Sequence, residues 1–268
     1  MRSRAAAVAR AAVLALLLVA FCLPFYWMIV CSLSTPEEIF SSHPALIPDM
    51  GGLANYCRVL EDTGFATYFV NSLVVCVADT ALVTLCTILA SYAVGVLRLR
   101  HGEAVINVLT FFALVPSELL VIVNLRTVIE LGVYDTLAAI FIPFIANVMY
   151  VRMLITAFRD MPAPYRQQAL VDGMGDWTFL WRVAVPSVMP SIVTIMGLNA
   201  IASWNSFVWP MYAIVSSENM TVPFGLYFFT TELSSSPELI MAASVLSTLP
   251  ALVIMWMIGG SLMRDREV

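Results

Sequence analysis

The chain has 268 residues, 61 % of them hydrophobic and 12 % charged, and a formal net charge of −5. A water-soluble fold with so little polar surface could not cover itself, so the composition places the chain in a lipid bilayer. There is no lysine, which removes the phosphate cradle GxxxxGK[ST] and Schiff-base chemistry, and the excess of acid, carried mostly by Glu37, Glu38, Glu61 and Asp62, gives no reason to expect nucleic acid.

A helix crosses the hydrocarbon core with about 20 apolar residues. Stretches of that kind lie at about 11–33, 68–96, 104–125, 136–158, 186–214 and 238–263. With no repeat, linker or low-complexity segment, they predict one all-α domain of six transmembrane helices over 1–268. The first follows MRSRAAAVAR, a start that also suits a secretory signal peptide. Its apolar run continues through FCLPFYWMIVCSL without a small-residue cleavage site, so it reads as an uncleaved span. Phe21 stands where lipidation of Cys22 would require a small residue. The second stretch holds Asp79, which costs about 3 kcal/mol at mid-membrane, while its Val, Leu, Ile and Phe residues return about 4–7 kcal/mol on the same scale, so it inserts. Cys22, Cys31, Cys57, Cys76 and Cys86 show no CxxC spacing; most fall inside spans as small apolar fillers, and a Cys31–Cys57 bridge is not expected.

Orientation follows from arginine. Arg2, Arg4, Arg10, Arg98, Arg100, Arg159, Arg166, Arg182, Arg264 and Arg266 fall on one side of these spans, and only Arg58 and Arg126 on the other. The positive-inside rule then puts both termini in the cytoplasm and the loops near 34–67, 126–135 and 215–237 outside. His43 and His101 fall in loops on opposite sides, so there is no HExxH helix and no serine–histidine pair within the membrane. The chain is not expected to be an enzyme or to hold a metal or cofactor.

In the third stretch, Pro116 frees a backbone carbonyl, a defect tolerated at membrane depth only beside protein or water, and Glu118 follows it. Ionisable groups inside spans tend to face a pathway, which makes Asp79, Glu118 and Arg152 candidates to line one. Arg152 can equally snorkel to the headgroups, and Asp79 can bond a neighbouring helix. The fifth stretch sets Asn199, Ser203 and Ser206 on one stripe, followed by Trp204, Asn205 and Trp209. Polar groups among aromatic planes suit a sugar, although Asn and Ser stripes also glue membrane helices together.

Between the fourth and fifth stretches, at about 160–186, runs a cytoplasmic segment of another character. Pro162 and Pro164 can open a helix through Val171, Asp172-Gly173 closes it, Asp176 can cap a second helix carrying Trp177, Phe179, Leu180 and Trp181, and Pro186 starts span five. This helix–turn–helix presents an apolar patch, covered either by the headgroup region or by a protein partner. The segment resembles the EAA loop of the membrane subunits of ATP-binding cassette importers. Gln167, Gln168 and Ala169 take the EAA positions, Asp172 and Gly173 the acid and glycine, and Val183, Val185 and Pro186 the I-x-L-P positions. Gln167 and Gln168 depart from that pattern, so a neutral hydrogen bond stands where the family offers a carboxylate.

The resemblance extends over nearly the whole chain to the second membrane subunit of carbohydrate importers, of maltose or glycerol-3-phosphate type. PFYWMIVCSL, the PALIP stretch, ANYCRVL, SYAVGVLRL, LVPSELL, ELGVYDT, SWNSFVWPM, TVPFGL and MAASVLSTLPALVI carry it in order. It implies that Gln167 to Pro186 dock into a separate ATPase, with Ala169 and Gly173 small enough for close packing. It implies as partners a second, related membrane subunit, two ATPase copies and an extracytoplasmic solute-binding protein, and it strengthens Trp204-Asn205 as pathway residues. A self-contained ion-coupled carrier, driven through Asp79 or Glu118, is the rival reading, and a membrane enzyme a third without a catalytic constellation. A neutral sugar and glycerol 3-phosphate or a glycerophosphodiester all stay open as cargo, with Asp79 and Glu118 arguing only slightly against an anion.

Overall fold

The computed structural model describes residues 2–41, 47, 52–232 and 236–264, without the side chains of 2–9, 62, 163, 231, 232 and 258–264. His43, Arg266 and all of the PALIP stretch but Ile47 lie outside the described residues. In chain order the helices are α1 (Arg2–Ser32), α2 (Pro36–Ile39), α3 (Leu53–Asp62), α4 (Phe65–Gly95), α5 (Gly102–Phe112), α6 (Val121–Glu130), α7 (Leu137–Phe141), α8 (Val148–Arg159), α9 (Ala163–Val171), α10 (Asp176–Phe179), α11 (Val185–Ser187), α12 (Met189–Trp204), α13 (Val208–Ala213), α14 (Val222–Glu232) and α15 (Pro237–Arg264). Among the described residues there is no strand, and the expected all-α class holds.

Among the described residues, three helices are long and apolar enough to cross a membrane by themselves: α1 over Arg10–Ser32, α4, and α15 over Pro237–Met257. The third, fourth and fifth apolar stretches differ from the single helices expected of them. Gly102–Phe112 and Ser117–Glu130 meet at 89°, Leu137–Phe144 and Val148–Arg159 at 54°, and Asp176–Ser187 and Met189–Trp204 at 79°. Counting each bent pair as one crossing gives six. The first break falls where Pro116 lacks the N–H that would continue the ladder, and the chain resumes as a 3-10 turn over Ser117–Leu120. Pro186 does not start span five: it lies inside α11, and the helix that follows begins at Met189, beyond the bend at Val188.

The fold comprises two compact units, residues 1–67 with 225–249 and residues 68–224 with 250–268. In the first, Asn55 Nδ2 donates to the carbonyls of Ser32 at 3.0 Å and Ser34 at 3.1 Å, tying α3 to the end of α1. A Cβ at Gly52 would lie 1.9 Å from the Leu33 carbonyl oxygen, so only glycine lets the two backbones approach. Thr35 and Glu38 form a capping box on α2. The most apolar part of α1 is only 6 % buried, leaving a surface for lipid or another apolar protein.

The second unit is organised along α4. Near its start, Asn71 Nδ2 donates to the carbonyls of Glu218 at 2.7 Å and Met220 at 2.9 Å. Near its end, Tyr92 Oη donates to the Asp176 carbonyl at 3.1 Å. Segments expected on one side of the membrane meet each other: Arg159 pairs with Glu103, while Asp135 Oδ1 accepts the N–H groups of Val215 and Ser216, each at 2.9 Å.

Candidate functional site

The segment between α8 and α12 is fastened to the helices before it. α9 carries Pro164 in its first turn and closes in a Schellman motif, Met174 N–H donating to the Ala169 carbonyl at 2.9 Å and Gly173 N–H to that of Leu170 at 3.2 Å. Gly173 has φ +73°, and a Cβ there would meet nothing within 4 Å. Glycine therefore serves the turn, while Ala169, 6 % exposed, is packed into this chain's own core. Asp176 is not the cap expected of it. Gly175 holds the cap position without a side-chain bond, and the Asp176 carboxylate lies 3.2 Å from Arg166 Nη2. The Arg166 guanidinium also sits 5.7 Å from the centre of the Phe179 ring.

Phe179 corrects the expected docking patch. It is 2 % exposed and packs with Leu180 into a core of Ile88, Tyr92, Leu154 and Phe158. The Tyr92 ring stands 6.5 Å from that of Phe179 and 6.0 Å from that of Phe158. Leu170, Val171, Trp177 and Trp181 remain on the surface, with Gln167 and Gln168 exposed beside them. Past Phe179 one turn of π-helix, Leu180–Ala184, leads into α11, a local widening of the kind often found at functional sites.

The second feature is a cavity of about 480 Å³, lined by Asp79 of α4, Ser117 and Glu118, Asn147 and Tyr150, Asn199 and Ser203 of α12, and Ser206, Phe207 and Trp209. Three interruptions of the helices, before Ser117, before Val148 and between Trp204 and Val208, converge on it. Irregular backbone at membrane depth is tolerated where it lines such a space. Asn199 Nδ2 donates to Asp79 Oδ2 at 2.9 Å, so the stripe expected on α12 turns its Asn and Ser inward, and Ser206 joins them although α12 has already ended.

Trp204 and Asn205 are not part of this lining. Trp204 is 2 % exposed and meets Phe69 edge-on at 5.6 Å, while Asn205 Nδ2 donates back to the Ile201 carbonyl at 2.9 Å. Arg152 points elsewhere, its Nη1 donating to Asn107 Oδ1 at 2.9 Å and Thr110 Oγ1 at 3.1 Å on α5. Sequence reading missed Asn147, whose Oδ1 accepts the Met149 N–H at 3.0 Å and caps α8. An Asn immediately before an apolar helical run is the signal that would have found it.

Fold and site together define the membrane part of a transport system: helices suited to cross a bilayer, a cavity edged with carboxyl, amide and hydroxyl groups where the chain breaks three times, and a braced segment with an apolar outer face. Residues 87–263 match the family described as "Binding-protein-dependent transport system inner membrane component". The chain is 30 % identical over 249 residues to the inner membrane ABC transporter permease protein YcjP of Escherichia coli, covering 90 % of this chain and 87 % of that one. It is 30 % identical over 250 residues to the trehalose/maltose transport system permease protein MalG of Thermococcus litoralis, covering 89 % and 87 %. Its fold is that of a chain from the crystal structure of a bacterial ABC transporter involved in the import of the acidic polysaccharide alginate, with a TM-score of 0.85 at 22 % identity over 97 % of this chain and 98 % of that one.

The chain belongs to the family of binding-protein-dependent transport system inner membrane components, the permease subunits of ABC importers. It is a transport component and not an enzyme. Membership implies an ATPase subunit and a solute-binding protein as partners.

Proposed function

We propose that the chain is one of two related membrane subunits of a sugar importer, worked from the cytosol by two copies of an ATPase and supplied by an outer binding protein. The names of the trehalose/maltose and lactose permeases among its relatives support a sugar as cargo. In this reading the whole chain is one transmembrane domain with both termini in the cytoplasm, in keeping with the bias of its arginines. Gln167, Gln168, Leu170, Val171, Trp177 and Trp181 form the face gripped by the ATPase, and Asp79, Glu118, Asn199 and Ser203 line part of the path.

One observation carries the reading: Phe179 and Leu180 are sunk in the membrane unit's core while Trp177, two residues before Phe179, is 66 % exposed. A segment anchored on one face and bare on the other transmits a push. Shifting an equilibrium between inward-open and outward-open states from 1:99 to 99:1 takes about 5.5 kcal/mol, which a loosely held loop would dissipate. ATP-driven closure of the two ATPase subunits draws the paired segments together, and the braced core passes that motion to α4, α8 and α12.

Co-purification of the tagged chain with its ATPase tests this. The wild type is expected to retain the ATPase, and Trp177→Asp to lose it while still inserting at normal levels. Full retention by Trp177→Asp, together with normal ATP-driven uptake, would overturn the docking assignment.

A further inference from the structure

We infer that the cavity selects cargo by charge, admitting neutral, hydroxyl-bearing sugars and repelling phosphorylated, sulfonated or uronic ones. This rests on the proposed place of the cavity in the path.

Two carboxylates, Asp79 and Glu118, line the cavity, and no arginine or histidine stands among its lining residues. Arg152 is held toward α5 by Asn107 and Thr110, so it does not neutralise them. Asp79 is 8 % exposed. Asn199 donates to its Oδ2 and the Ser203 hydroxyl is a second donor beside the carboxylate, while Oδ1 itself is left without a partner. Buried acceptors of this kind are normally paired, and while the carboxyl is ionised the group that completes this one is a donor. Sugar hydroxyls are donors, whereas phosphate, sulfonate and carboxylate bring further acceptors and a like charge in surroundings that screen it weakly. The aromatic lining fits the same cargo. Phe144, Tyr150 and Phe207 are half-buried on the cavity wall and present rings to the apolar face of a sugar, while Trp209, 5 % exposed, backs Phe144 with its indole N–H on the Ala139 carbonyl at 3.0 Å.

The field of the cavity can be read directly with charged thiol reagents. Ser203→Cys is placed in a chain whose five native cysteines are replaced, assembled with its companion membrane subunit and ATPase in lipid nanodiscs. Its reaction is followed with a trimethylammonium and a sulfonate methanethiosulfonate, each normalised to its rate with a free thiol. Any change in the thiol's own ionisation affects both reagents alike and cancels in the ratio. The cationic reagent is expected to react about tenfold faster or more, and adding Asp79→Asn with Glu118→Gln is expected to bring the ratio close to one. Equal rates in the charged cavity, or a ratio unmoved by neutralisation, would overturn the charge selection while leaving the path intact. No reaction with either reagent in any nucleotide state, alongside normal ATP-driven uptake, would remove the cavity from the path and the selection with it.

Discussion

Trp177 is 66 % exposed and Phe179 only 2 %, although one residue separates them. At 3.6 residues per turn, positions two apart lie about 200° apart on a helix, so one ring faces the core and the other leaves it. Their substitutions should therefore separate folding from function. Phe179→Ala is expected to cost about 3 kcal/mol or more, seen as earlier thermal unfolding in detergent. Trp177→Ala is expected to stay within about 0.5 kcal/mol of the wild type and yet to weaken ATPase retention. Gly52 makes a sharper case, because its added Cβ would fall 1.9 Å from a backbone oxygen that cannot swing aside. Gly52→Ala should lower stability by at least about 1–3 kcal/mol, readable as faster proteolysis between α1 and α3.

Between elements, the Asp135 clamp is the clearest local device. Asp135 sits at φ +58°, its carboxylate takes the Ser216 hydroxyl and the N–H groups of Val215 and Ser216, and its own carbonyl accepts Asn219 Nδ2 at 2.7 Å. The Ser216 hydroxyl, followed by those backbone donors, holds the carboxyl below the usual carboxylate range. A depressed value stabilises the fold fully above the unfolded pKa, about 3.9, and that stability is lost as pH falls through the folded value. Asp135→Asn is accordingly expected to unfold about 2–4 °C earlier at pH 6, with the gap closing below about pH 4 in a thermal scan. The features legible in the sequence were those with a chemical signature, such as the Asp172-Gly173 helix end and the proline-opened start of α9. The bends were legible only in part: Pro116 marks the defect at which the third stretch breaks, but apolar residues fill both halves of a broken span, so hydrophobic content carries no sign that the turn reaches 89°. The inward choice of Phe179 was hidden too, because the pocket that takes it comes from Tyr92 and Phe158, remote in the chain.

Across the whole molecule, α4 acts as a ruler. Asn71 bonds the 218–220 turn and Tyr92 bonds the start of α10, and the twenty-one residue steps from one to the other span about 32 Å of helix, close to the roughly 30 Å of a hydrocarbon core. The two predicted faces of the membrane are thus tied to one rigid rod, with the cavity's Asp79 between them. A push on the Trp177 surface reaches Tyr92 through Phe179 within one ring contact, so the energy source need not lie in this chain. Nor does the sequence supply the usual one, since without lysine it lacks the phosphate cradle of GxxxxGK[ST]. Vesicles holding this chain alone are therefore expected to show no accumulation of labelled maltose or lactose above equilibration, with or without a proton gradient. Addition of the companion membrane subunit, the ATPase, the outer binding protein and internal ATP should establish accumulation of the sugar that the binding protein carries. Asp79→Asn separates the rival in the same assay. A proton-driven carrier would lose all uphill transport with it, whereas an ATP-driven one keeps its dependence on ATP and changes mainly in which charges it admits. Uphill uptake by the chain alone, abolished by Asp79→Asn, would assign the work to the membrane carboxylate and take it from the lever.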